Sequence, residues 1–159
     1  MSSAIRRVYT SHDISAKFHK SISQDRIEWL IDICGIDPRI ASIDLESIKC
    51  KLCCSEEGEN WTAEHCESAE VEYKRFLQLY LRFGPGIYPN ADMYTMWQYH
   101  QSEPMNYRND CMAMFGHLPP DFPVAGLRDQ QHQQPAHAGI NKTRERYAEL
   151  FGRPMLEVV

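Results

Sequence analysis

No stretch of the chain approaches the roughly 18 consecutive apolar residues that a membrane-spanning helix needs, so no membrane span is expected. Positive charge is also in short supply. Lys plus Arg number 17 against 22 Asp plus Glu, a formal net charge of −5. A chain with that balance lacks the electrostatic footprint of a nucleic-acid binder, and its basic clusters (Arg6 with Arg7; Lys142, Arg144 and Arg146) are small. Glycine is sparse, at 8 of 159 residues. The chain carries no P-loop, no dinucleotide fingerprint and no nucleophile elbow, so no nucleotide cofactor is expected, nor serine-hydrolase chemistry on that scaffold. The opening MSSAIRRVYTSHD lacks the apolar segment of a secretory signal, and a cytoplasmic location is expected. Nowhere does apolar and polar character alternate over a convincing series of strands, so no substantial sheet is expected.

Cysteine is present in quantity: Cys34, Cys50, Cys53, Cys54, Cys66 and Cys111. In a reducing compartment these are expected as thiols. A chain of this length buries roughly 70% of its unfolded surface, so no staple is required. Cys50-x-x-Cys53-Cys54 followed by His65-Cys66 has the residue types of a zinc site, but adjacent ligands suit tetrahedral closure poorly. His65 and Cys66 also diverge by about 100° on a helix. Buried or half-buried free thiols are the expectation there. His132 and His137, five apart, have neither the i, i+4 zincin spacing nor a neighbouring acid. The acidic series Glu56, Glu57, Glu59, Glu64, Glu67, Glu70 and Glu72 reads as a solvated loop and helix face.

What the chain does have is helical periodicity. Ile14, Phe18 and Ile22 recur at spacing four. A second apolar helix is expected from about Asp25 to Cys34, stopped at Gly35, and a short third one over Leu45–Leu52. Thr62 then caps the clearest helix, in which Ala69, Tyr73, Phe76, Leu77 and Tyr80 share one face, running to about Phe83. Asn90 caps the next, which Pro104 ends. Ser102 is the expected cap of the following helix, closed by Gly116. Ile140, Tyr147, Leu150 and Phe151 form a last amphipathic helix, with Pro135 near its start and Gly152 at its end. The fold expected is all-α, a compact orthogonal bundle of about five to seven helices. Residues 1–10 are expected as a flexible arm and 11–159 as a single helical domain.

The segment from Asn90 to Pro123 concentrates the chemistry. Met93, Met96, Trp97 and His100 fall at i, i+3, i+4 and i+7, which puts His100 on a core-facing stripe. A histidine there is more often a satisfied core residue than a ligand. Glu103, one turn later, stands where it would orient the imidazole. Tyr107 and Asp110, three apart, look the same way from the next helix. Together these are the parts of an acid–base pocket.

From about Lys49 to Pro154 the chain resembles the bacterial proteins related to the glycine-rich-domain-containing protein-like family. The resemblance rests on Trp61-Thr62, Tyr73-Lys74-Arg75-Phe76-Leu77, Trp97, His100, Tyr107, Asp110-Cys111, Phe115-Gly116, Phe122-Pro123, Gly126-Leu127-Arg128 and Phe151-Gly152. The family pattern places an Asp where Tyr94 stands, a His at Gln98, and a His-His pair at Pro120 and Asp121. That set would suit a divalent metal, and here only His100 of it remains. A family-type metal centre is therefore disfavoured.

Three readings stay open. The first is a repurposed pocket for a small organic molecule, a metal-independent enzyme of cyclisation, isomerisation or elimination, with a place in a biosynthetic pathway. In it His100, Tyr107, Glu103 and Asp110 are catalytic, and Tyr94, Trp97, Gln98, Asp121 and Arg128 bind substrate. No cofactor or metal is assigned. The second is a non-catalytic binding or protein-interaction module, with Met93, Met96, Met105, Met112 and Met114 as an adaptable surface. The third is a residual metalloprotein that uses His100 with Asp121, His117 or the cysteines.

Overall fold

The computed structural model describes residues 21–54, 58–120 and 133–156. The arm expected over 1–10 and most of the helix expected from Ser11 lie outside the described residues. Seven helices are described: α1 (Gln24–Asp32), α2 (Pro38–Ala41), α3 (Glu46–Cys53), α4 (Ala63–Phe83), α5 (Ala91–Gln101), α6 (Pro104–Phe115) and α7 (Gln133–Phe151). No strand occurs among the described residues, and the chain is all-α there.

The helix boundaries follow local chemistry. Ser23, Thr62 and Asn90 cap α1, α4 and α5, each side chain accepting from a backbone N–H in the first turn. Gly35 takes a left-handed φ of 72° after α1, and the Ile36 N–H closes back on the Leu30 carbonyl at 3.0 Å. Ser102 departs from expectation. It is the C-cap of α5, its hydroxyl donating to the Tyr99 carbonyl, and Glu103 precedes Pro104 at the start of α6. Pro104 sits where its missing N–H costs nothing. The four-residue α2 is not among the expected helices. It is too short to show a period, and Asp37 with Pro38 starts it.

α4 is the spine. Its apolar face carries Tyr73, Phe76, Leu77 and Tyr80 into a core shared with Leu30, Ile40, Leu52, Met93, Met96 and Tyr147. Of the acidic series expected to be solvated, Glu59, Glu64 and Glu67 are exposed, but Glu70 and Glu72 are buried, together with Lys74 and Arg75 on the same helix. Glu70 is fully buried and takes Arg26 at 2.8 Å, Lys49 at 3.2 Å and Lys74 at 3.5 Å. Lys74 also donates to the carbonyls of Ala41 (3.0 Å) and Ile43 (2.7 Å), satisfying acceptors that α2 leaves open at its end. The Tyr147 hydroxyl donates its one proton to the Glu72 carboxylate, whose oxygens lie 2.8 and 2.9 Å away, and Arg75 donates to the same carboxylate at 3.0 Å. These ion pairs tie α1 and α3 to α4, and the Tyr147 hydrogen bonds tie α7 to it.

Candidate functional site

His100 lies on the inner face of α5, only 1% exposed. Its Nδ1 is 2.8 Å from the Tyr73 hydroxyl on α4, and its Nε2 is 2.7 Å from Asp110 Oδ2 on α6. A carboxylate accepts, so Nε2–H donates to Asp110 and Nδ1 accepts from Tyr73 O–H. Burial pushes the Tyr73 phenol well above its ordinary range, which keeps that donor protonated. The result is a closed chain, Tyr73 to His100 to Asp110, crossing three helices. Only the Asp110 side chain reaches solvent, 22% exposed.

The Tyr107 ring meets the imidazole edge-on at 5.0 Å. Its hydroxyl points away, however, and accepts from Trp97 Nε1 at 3.1 Å. Tyr107 also hydrogen-bonds Cys111, whose thiol burial pushes up to about 11. Trp97 is buried beside these groups.

Glu103 is not the partner of His100. It turns to α3, accepting from the Ser47 hydroxyl (3.0 Å) and from Lys51 Nζ (3.0 Å), and it also accepts from Asn106 (2.9 Å). Burial alone would raise its pKa, but those donors outweigh burial and hold the carboxyl below its usual range. The expected orientation fails because α5 ends at Gln101. The chain then turns at Ser102, so Glu103 no longer follows the helical period. Tyr94 and Gln98 engage each other, Gln98 Nε2 donating to the Tyr94 hydroxyl at 2.9 Å, one turn apart on the outer side of α5. Asp121 and Arg128 lie outside the described residues, as does His132. Of the nine expected site residues, His100, Tyr107, Asp110 and Trp97 are brought together.

Tyr73 is the member that sequence reasoning missed as a site residue. It was legible only as part of the apolar face of α4, and its pairing with His100 depends on how α4 and α5 cross. Chemically, both imidazole nitrogens are committed and the ring is sealed. The arrangement joins three helices, and the imidazole has no lone pair or N–H left for an outside molecule.

The cysteine and histidine cluster is likewise resolved into separate contacts. His65 stacks on Trp61 at 4.0 Å and pairs with Asp92 at 2.8 Å. Cys53 and Cys66 are buried against each other, Sγ to Sγ 3.0 Å. Among the described residues, no group of three or more His, Cys, Asp or Glu is arranged to hold a metal ion. His117 bonds Tyr80 at 3.2 Å. Of the five methionines expected to form a contact surface, Met93, Met96 and Met114 are in the core, and Met105 and Met112 are exposed.

A groove of about 470 Å³ opens elsewhere, between α1, one face of α4 and the segment after α7. Trp29, Ile33, Val71 and Leu156 supply its apolar lining, and Arg26, Arg75 and Arg153 its guanidinium groups, with Glu64, Glu67 and Glu72 alongside. No helix of the described residues is long and apolar enough to cross a membrane.

Among curated proteins and among solved structures, nothing matches the chain. A family model does match, that of the Glycine-rich domain-containing protein-like family, over residues 52–110. That stretch holds α4, α5 and the whole Tyr73–His100–Asp110 chain, and over it the protein is related to the glycine-rich domain-containing protein-like family.

Proposed function

We propose that the chain is a non-catalytic binding module that takes a small organic molecule in the groove between α1 and α4. One observation carries this reading. Six large apolar side chains are exposed among the described residues, and three of them, Trp29 (40%), Ile33 (71%) and Leu156 (44%), line this groove. Apolar groups that converge at a concave surface mark a binding site more often than scattered ones do. The groove volume falls in the range of roughly 300–1,000 Å³ typical of small-molecule sites.

The polar lining selects the ligand's other end. The Arg26 and Arg75 guanidinium groups are paired with Glu70 and Glu72. Arg153, exposed at the groove, has no ion-pair partner among the described residues and is free to donate. The ligand is therefore an apolar body with a hydrogen-bond-accepting end, such as a carboxylate.

The acid–base reading centred on His100 is the weaker one, because a general base must present a nitrogen to its substrate. Both nitrogens of His100 already hold protein partners. Two-dimensional NMR with a set of aliphatic and aromatic carboxylic acids separates the two readings. Shifts at the Trp29 indole, Ile33, Val71 and Leu156, with affinity falling at least roughly tenfold in Ile33→Glu, are expected. Shifts confined to Trp97, Tyr107 and Asp110 would overturn the groove and favour the acid–base pocket.

A further inference from the structure

We propose that Cys53 and Cys66 are a reversible modification site, a dithiol that closes to a disulfide under peroxide and is reopened by small thiols. The inference is independent of the groove. Cys53 is the last residue of α3 and Cys66 lies in the first turn of α4, 13 positions on. Their sulfurs are 3.0 Å apart, against about 2.05 Å in a disulfide, so bond formation asks for a shift of about 1 Å. The backbone can give that much at Cys53, because Cys54 after it is already extended and outside the helix. Cys50 and Cys54, half-buried, are the competing thiols.

The two sulfurs differ. The Cys66 S–H is directed at the Lys49 carbonyl, 3.8 Å away. Cys53 is 3% exposed and Cys66 wholly buried, so hydrogen peroxide reaches the Cys53 sulfur, which makes the first attack. A sulfur–oxygen bond forms, the oxygen–oxygen bond breaks, and one water leaves, giving the sulfenic acid at Cys53. The Cys66 sulfur then attacks the Cys53 sulfur. The sulfur–sulfur bond forms, the sulfur–oxygen bond breaks, and the Cys66 proton leaves with the hydroxyl as a second water. Two thiols have lost two electrons, and one peroxide has become two waters. Two molecules of a small thiol reverse the change and leave as one disulfide. Because the partner is in contact, condensation outruns further oxidation of Cys53. The closed bond ties the end of α3 to the start of α4 across the intervening loop.

The test uses the full chain, fully reduced, then treated with stoichiometric hydrogen peroxide. Remaining thiols are alkylated after unfolding, and the peptides are mapped by mass spectrometry. The expected result is the loss of two alkylatable thiols, a linked peptide pair containing Cys53 and Cys66, and full recovery on adding dithiothreitol. The oxidised protein should also melt roughly 5–10 °C higher. Cys66→Ala should instead accumulate sulfenic and then sulfinic acid at Cys53, while Cys53→Ser should leave Cys66 unoxidised. The wild-type map decides the matter even where a variant folds poorly. Six alkylatable thiols after treatment, a linkage through Cys50 or Cys54, or sulfinic acid at Cys53 of the wild type would each overturn the proposal.

Discussion

Tyr73, His100 and Asp110 show how little of a side chain's role its type reveals. A histidine near a tyrosine and two carboxylates has the composition of a catalytic pocket. In the structure His100 is 1% exposed and both ring nitrogens are held by protein partners, at 2.7 and 2.8 Å. Tyr73→Phe removes one hydroxyl and leaves His100 Nδ1 buried without a donor, which should cost about 1–3 kcal/mol in urea unfolding. His100→Ala adds a cavity to the lost bonds and should cost about 3–5 kcal/mol, with little further loss when combined with Tyr73→Phe. Additive losses in that pair would mean the two residues are not coupled. His100 was placed correctly on an inward face by the spacing of Met93, Met96 and Trp97. Its partner across the helix interface was not legible, because residues 27 apart meet only through tertiary packing.

The helices themselves were largely readable. Caps, glycine stops and prolines are local devices, and they placed α1, α3, α4, α5, α6 and α7 to within a few residues. Thr62→Ala should remove the hydrogen bond to the His65 N–H (3.1 Å) and destabilise by about 1 kcal/mol. Gly84 is a stricter case. It ends α4 at φ 77°, ψ −161°, a region essentially reserved for glycine. An added Cβ would meet nothing within 4 Å, so the strain is purely in the backbone. Gly84→Ala should cost about 1–3 kcal/mol, seen as a lower urea midpoint with an unchanged slope. Glu103 misses His100 because α5 ends at Gln101 and its period does not carry on, and Ser102 closes α5 while Glu103 takes the N-cap position before Pro104.

The bundle is held by apolar packing and also by the buried charges radiating from α4. Burial alone would raise the Glu70 pKa, yet the cations Lys74, Lys49 and Arg26 outweigh it and hold the carboxyl below its ordinary range. Glu103 is shifted down likewise, by Lys51, Asn106 and Ser47. A carboxyl with a depressed folded pKa contributes fully above its unfolded value, near 4.3, and loses that contribution as pH falls through the folded value. Glu46 is shifted up by burial and opposes the trend. Stability should therefore decline below about pH 4.5. Glu70→Gln should lose about 3–5 kcal/mol at pH 7, by stranding three cations, and its decline on acidification should be shallower. Urea unfolding from pH 7 to pH 3 checks both; a wild-type acid limb as shallow as the variant's would refute the account.

Local patterning is enough to set the helices, their caps and stops, the all-α class and the inward placing of His100. These are set by 3.6-residue periodicity and by residues within a turn of one another. Only the tertiary structure decided that His100 is sealed between Tyr73 and Asp110, that Glu103 serves α3, and that Glu70, Glu72 and Lys74 are interior. It also decided that Cys53 meets Cys66, and that Trp29, Ile33 and Leu156 converge on one groove. Each of these joins residues more than one helical turn apart, and their meeting depends on how helices cross, which no local pattern encodes. Within Asn90–Asp110, His100 and Asp110 join Tyr73 in a hydrogen-bonded chain across α4, α5 and α6, and the groove proposed to bind a ligand lies on α1 and α4.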